Sequence, residues 1–180
     1  MLLAHNQLLK IIEAGYIDAL PENVNAASID IRLGNKIFVE RKSPYNNIVI
    51  DLSLKQSINW REIELSDDGY RLSPNEFILA HSIEVFNLPN DVSSQFILRS
   101  SMARNGLEHL QAGWADAGFK GANLTFELKN VSQFHTLLLK KGMRIGQMIF
   151  FEHEDAENGS YALKGRYNDF LGVVESKGES

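Results

Sequence analysis

Residues 27–34 read Ala-Ser-Ile-Asp-Ile-Arg-Leu-Gly. In an extended chain, Ile29, Ile31 and Leu33 share one face while Asp30 and Arg32 take the other, so the segment is read as a half-buried strand. Similar short runs follow at 36–40, 47–52, 77–86, 92–98, 124–128, 135–139 and 145–152. Turn formers separate them: Pro44, Asp67-Asp68-Gly69, Pro74-Asn75, Pro89-Asn90 and Lys141-Gly142. Many short strands at this spacing predict an all-β sandwich or barrel rather than an α/β sheet. Upstream, Leu8, Leu9, Ile11 and Ile12 among polar residues, closed by Gly15, predict one amphipathic helix over residues 2–14.

At 180 residues the chain is long enough for one domain with a substantial core and too short for two. Its formal net charge of −5 argues against broad binding to nucleic acid or anionic membranes, and leaves open a small anion held by a local basic cluster. No run approaches the ~18 apolar residues of a membrane span. Residues 1–15 lack the charged lead-in and cleavage site of a signal peptide, so a cytoplasmic protein is expected. With no cysteine, thiolate metal sites and cysteine nucleophiles are excluded, as is the cysteine-containing motif of zinc-dependent nucleobase deaminases. The five histidines show no metal-binding spacing, and no phosphate-loop glycine motif occurs.

Four stretches carry candidate chemistry. In 98-LRSSMARNG-106, Ser100 or Ser101 can cap a short helix whose face also presents Arg104. This is either an anion site or a capped surface helix. In 109-HLQAGWADAGFKGANLTFELKN-130, Asp116 lies in a glycine-punctuated turn, and Glu127 interrupts an apolar strand. An inward Glu127 would suit acid–base work near neutral pH. Leu124, Phe126 and Leu128 have the opposite parity, so Glu127 equally fits the solvent side. Gln147 shares parity with Ile145, Ile149 and Phe151, which suggests a hydrogen-bonding task or a satisfied core amide. The polar, glycine-rich segment 161–180 sets Lys164 and Arg166 between Tyr161 and Tyr167, and reads as a frayed terminus or as an arm that orders on binding.

Taken in order, these pieces resemble the dCTP deaminase branch of the trimeric dUTPase superfamily. The resemblance runs through AASIDIRLGN (26–35), LSPNEFILAHSIEVFNLPNDV (72–92), RSSMARNGL (99–107), AGWADAGFKG (112–121), LTFELKN (124–130), GMRIGQMIF (142–150) and the tyrosine-bearing tail. It implies one domain over 1–180, a distorted β-barrel of jelly-roll type, and a homotrimer with active sites between subunits. The 161–180 arm would close over the site. The substrate implied is dCTP as its Mg²⁺ complex, without zinc, converted to dUTP and ammonia. The alternative is a bifunctional enzyme giving dUMP and diphosphate, which AGWADAGFKG resembles more closely. A plain dUTPase and an inactive nucleotide-binding trimer are further alternatives, and dTTP inhibits some relatives.

Carried over by position, Glu127 is the base that takes a proton from the water attacking C4, and the acid that returns protons to N3 and the departing amine. Ser100 and Arg104 hold that water, Glu127 and the developing charge. The backbone at Ala112 reads the pyrimidine edge, and Asp116 binds the 3′-hydroxyl. Arg99, Ser101, Gln147, Tyr161 and Arg166 contact the phosphates. The chain departs from the family pattern at Leu98, where glycine is usual, and at Phe170, where glutamine is usual. It also has one extra residue between Asp116 and Glu127, assigned to a bulge at Asn123.

Overall fold

The computed structural model describes residues 1–42 and 48–178. The opening stretch becomes the hinge of the fold. Strand β1 (Ile29–Glu40) is continuous through the expected break at Gly34-Asn35 and serves two sheet halves. Its first half pairs antiparallel with β10 (Arg144–Glu152). Its second half lies between β2 (Trp60–Glu64) and β4 (Phe77–Asn87). At the bend, a side chain on Gly34 would meet the His81 ring, its Cβ falling 2.2 Å from the nearest ring atom. Glycine therefore lets the imidazole lie against the β1 backbone.

The remaining strands are β3 (Tyr70–Leu72), β5 (Val92–Leu98), β6 (Leu107–His109), β7 (Trp114–Ala115), β8 (Lys120–Asn130) and β9 (Leu137–Leu139). The main sheet runs β6-β8-β4-β1-β10-β5-β7, with β2 added to β1, while β3 and β9 form a separate ribbon. Strands thus dominate the regular structure of the described residues, curled into a half-barrel sheet in keeping with the expected all-β, distorted-barrel class. Ile29, Ile31 and Leu33 are fully buried, together with Ile37, Ile78, Phe126, Leu128 and Phe150. Each such side chain contributes ~1.5–3 kcal/mol of burial free energy.

Helix α1 (His5–Glu13) buries Leu8 and Ile11 and stops at Gly15, whose φ is +75°. The expected strand at 47–52 is not formed over Ile48–Leu52, where the chain is irregular, and Asn47 lies outside the described residues. The β4–β8 register jumps: between the pairs His81–Thr125 and Val85–Asn123, β4 holds three residues and β8 only Leu124. Ser82, fully buried in that bulge, accepts from Leu124 N at 2.9 Å and donates to the Glu84 carbonyl at 2.7 Å, replacing lost ladder bonds. The bulge in β8 itself falls at Gly121, φ +64°, and not at Asn123, which remains paired with Val85.

Past β10 the chain forms α3 (Tyr161–Lys164), capped by the Ser160 hydroxyl, and then runs along β8. Backbone and side-chain bonds tie it there: Asn123 N to Phe170 O at 3.1 Å, Gly172 N to Asn123 Oδ1 at 2.7 Å, and Val174 N to Thr125 Oγ1 at 3.2 Å. Lys177 Nζ sits 3.9 Å from the Phe170 ring centroid, a cation–π contact.

Candidate active site

The outer face of β8 carries Asn123, Thr125 and Glu127 at alternate positions, while Phe126 and Leu128 point into the core. That outer face is covered. The irregular segment 50–58, the β7 turn and the C-terminal arm close over it to leave a cavity of about 670 Å³. Glu127 therefore has the parity of a solvent-facing residue and the surroundings of a buried one, its side chain 25% exposed. The walls are aromatic and aliphatic, with Trp60, Phe77, Leu79, Trp114, Phe119 and Tyr167 prominent. Ala112, Asp116, Glu127 and Tyr161 all line it. No lysine or arginine does, among the described residues.

Glu127 Oε2 lies 3.3 Å from Nε2 of the buried His109, yet the two are not aligned as a hydrogen bond, and neither atom has another partner among the described residues. The His109 ring meets Phe96 and Phe126 edge-on, with centroids 4.9 and 6.3 Å away. In the sequence His109 is one of five scattered histidines. Its proximity to Glu127 comes from the β6–β8 pairing, in which His109 stands opposite Leu128, and nothing local announces that register.

Asp116 follows β7 and opens the turn closed by Phe119 N to Asp116 O at 3.0 Å. Its Oδ1 accepts from the indole Nε1 of Trp114 at 2.7 Å. Gly118 has φ +86°, and a Cβ there would lie 2.2 Å from Ser160 Oγ and 2.7 Å from Ala162 N. Its bareness admits the start of α3 and so brings Tyr161 to the cavity. Burial pushes the Tyr161 phenol above its ordinary pKa, with a smaller contribution from the charge of Asp116.

The other expected site residues lie elsewhere on the chain. Helix α2 (Ser100–Ala103) is capped neither by Ser100 nor by Ser101. Its N-cap is Arg99, with no side-chain bond, because the turn begins one residue earlier than the serines require. Ser100, Ser101 and Arg104 are exposed there, outside the cavity. Arg99 and Gln147 converge on Asp30, which is only 2% exposed. Arg99 approaches Asp30 Oδ2 at 3.5 Å and Arg144 at 3.1 Å, while Gln147 and Asn25 donate to Oδ1 at 3.3 and 3.0 Å. Asp30 and Arg144 were not singled out from sequence. The D-x-R alternation in β1 placed Asp30 on a solvent face, whereas the face is covered by these partners. Arg166 donates to the Gly178 carbonyl, within the arm. Leu98 stands opposite Gly146 and packs against the core. Among the described residues no group of three histidine or carboxylate side chains converges as metal ligands.

A curled, mostly antiparallel sheet with a carboxylate-bearing strand face roofed by aromatic side chains defines a β-barrel-type protein with an enclosed ligand site. The family model for dCTP deaminase-like proteins matches residues 2–153. The chain is 38% identical to a "dCTP deaminase, dUMP-forming" of Thermobifida fusca, over 98% of this chain and 92% of that protein. It is 38% identical to a protein of the same name from Methanospirillum hungatei, over 87% and 84%. The chain belongs to the dCTP deaminase-like family, a family of hydrolytic enzymes. Among solved structures, the 2′-deoxycytidine 5′-triphosphate deaminase of Agrobacterium tumefaciens shares the fold, with a TM-score of 0.66 at 21% identity. That match covers 83% of this chain, which spans about half (47%) of the solved chain. No helix among the described residues is long and apolar enough to cross a membrane.

Proposed function

We propose that this chain is a dCTP deaminase of the dUMP-forming kind. It takes dCTP as its Mg²⁺ complex, with the metal arriving as part of the substrate. Two waters are consumed: dCTP and water give dUTP and ammonia, then dUTP and water give dUMP and diphosphate. The sequence alone made dUTP the first choice of product and dUMP the alternative. The names of the relatives favour the alternative.

The observation that carries the deamination is Glu127, held half-buried in an apolar-walled cavity with no lysine or arginine paired to it among the described residues. A group that must cycle between base and acid needs such a place. Glu127 takes the proton of the water that adds to C4 and returns protons to N3 and to the leaving amine. The Ala112 backbone meets the pyrimidine edge, Asp116 the 3′-hydroxyl, and Tyr161 the phosphates from the arm.

A triphosphate cannot be neutralised by a cavity that carries Asp116, Glu127 and Glu175 and, among the described residues, no lysine or arginine. Arg99, Ser100, Ser101, Arg104 and Gln147 lie together on a different part of the chain. This division supports a homotrimer in which one copy's α2 corner completes the cavity of the next, with Arg166 and the rest of the arm closing over it. Incubating the protein with dCTP and Mg²⁺ and separating the products tests the reading. Accumulated dUMP, diphosphate and ammonia are expected. Accumulated dUTP would restore the single-step enzyme, and unchanged dCTP would sink both.

A further inference from the structure

Asp116 has two carboxylate oxygens, and the chain itself engages one of them. Trp114 Nε1 donates to Oδ1 at 2.7 Å, a charge-assisted hydrogen bond. The pairing follows from spacing, since residues two apart in extended chain project to the same side, and Trp114 is the β7 residue two before Asp116. Trp114 is 53% exposed, so deep packing does not account for an aromatic there. Its ring is held on the other side by stacking against Phe151, at a centroid distance of 6.0 Å and an interplanar angle of 28°. The indole is thus fixed at the cavity rim by Phe151 and aimed at a single acceptor. With Oδ1 occupied, the carboxylate cannot turn freely, and Oδ2 is left to accept from a ligand hydroxyl.

We propose that Trp114 is a positioning residue through which Asp116 selects nucleotides carrying a 3′-hydroxyl. The proposal rests on the reading of Asp116 as the sugar ligand. An acceptor locked in direction favours a hydroxyl donor at one place, and an analogue lacking that hydroxyl leaves the carboxylate unpaired.

The test compares turnover of dCTP and 2′,3′-dideoxy-CTP by the wild type, Trp114→Phe and Asp116→Asn. Trp114→Phe keeps a ring to stack on Phe151 and removes only the N–H donor. Its kcat/KM for dCTP is expected to fall about tenfold, mainly through KM, as for the loss of a hydrogen bond to a charged group. The dCTP to dideoxy-CTP preference should collapse by the same factor. Trp114→Tyr, also without the indole N–H, should do likewise, and Trp114→Phe added to Asp116→Asn should cost nothing more. An equal fall for both nucleotides would make the indole a simple wall and overturn the proposal, as would an unchanged preference. If Asp116→Asn itself left the preference intact, the assignment of Asp116 to the sugar would fail, and the role of Trp114 with it.

Discussion

His109 Nε2 and Glu127 Oε2 face each other at 3.3 Å, both buried and neither in a hydrogen bond among the described residues. Unpaired polar atoms of this kind are rare in folded proteins and cluster where chemistry is done. Glu127→Gln keeps the shape and removes the group that exchanges protons. Deamination should fall by ~10²–10⁴-fold while the circular dichroism spectrum and Tm hold. Wild-type turnover by this variant would remove Glu127 from the mechanism.

His109→Phe retains ring packing against Phe96 and Phe126 and deletes the nitrogen beside Glu127. Removing the polar atom nearest Oε2 among the described residues changes the electrostatics around the carboxylate, and kcat should drop by ~10- to 10²-fold with little change in KM. A KM effect alone, read from initial rates over a range of dCTP, would place His109 in binding instead.

Arg32, its side chain 22% exposed, forms an ion pair with Glu84. Glu84 is fully buried and accepts from Arg32 Nε at 2.7 Å and from the Arg32 backbone N–H at 3.0 Å. Arg32→Ala strands a buried carboxylate, and a loss of about 3–5 kcal/mol in urea unfolding is expected. Arg32→Met with Glu84→Leu should recover part of it. A single variant as stable as the wild type would show that the pair is dispensable.

His81 is buried at the bend of β1, with Nδ1 2.7 Å from the Ser82 carbonyl and Nε2 accepting from Lys36 N–H at 3.3 Å. That pattern requires a neutral ring. Burial holds its pKa below the ordinary 6.5, and the charge of Lys36 acts in the same direction. The unfolded chain gains this proton near pH 6.5 and the folded chain only at lower pH. Stability from this group is therefore complete above 6.5 and declines as the pH falls below it. Tm should decrease from pH 7 to pH 5, and His81→Gln should flatten that slope. An unaltered slope would assign the acid sensitivity to other groups.

Gly118→Ala adds a Cβ at a positive φ and against the α3 backbone. Beyond ~1 kcal/mol of backbone strain, it should push the arm from the cavity. KM for dCTP should rise and proteolysis after residue 160 should quicken. Protection equal to the wild type would show that the arm tolerates the displacement.

The strands with strong alternation were readable because their periodicity is local: Ile29–Leu33, Val92–Leu98 and the core face of β8 all appear where the pattern puts them. The short strands β2, β3, β6 and β7 were not, since two to five residues carry too little pattern and owe their pairing to distant partners. Glu127 shows the same limit at the site. Its parity was legible, but what covers that face depends on segment 50–58 and the arm. Asp30 and His109 escaped because each matters mainly through distant residues, Asp30 through Arg99, Arg144 and Gln147 and His109 through Glu127. The α2 cap, expected at Ser100 or Ser101, falls at Arg99, one or two residues earlier, the usual scale of error at a helix end.

An arginine side chain carries about 2 kcal/mol of rotamer entropy, part of which an anionic ligand must ordinarily remove on binding. At Asp30 that ordering is done in advance, since one buried carboxylate holds both Arg99 and Arg144. An anion arriving at this corner competes with Asp30 for charge but has little left to freeze. Replacing Asp30 would free the two guanidiniums and loosen them in the same step, exchanging order for charge.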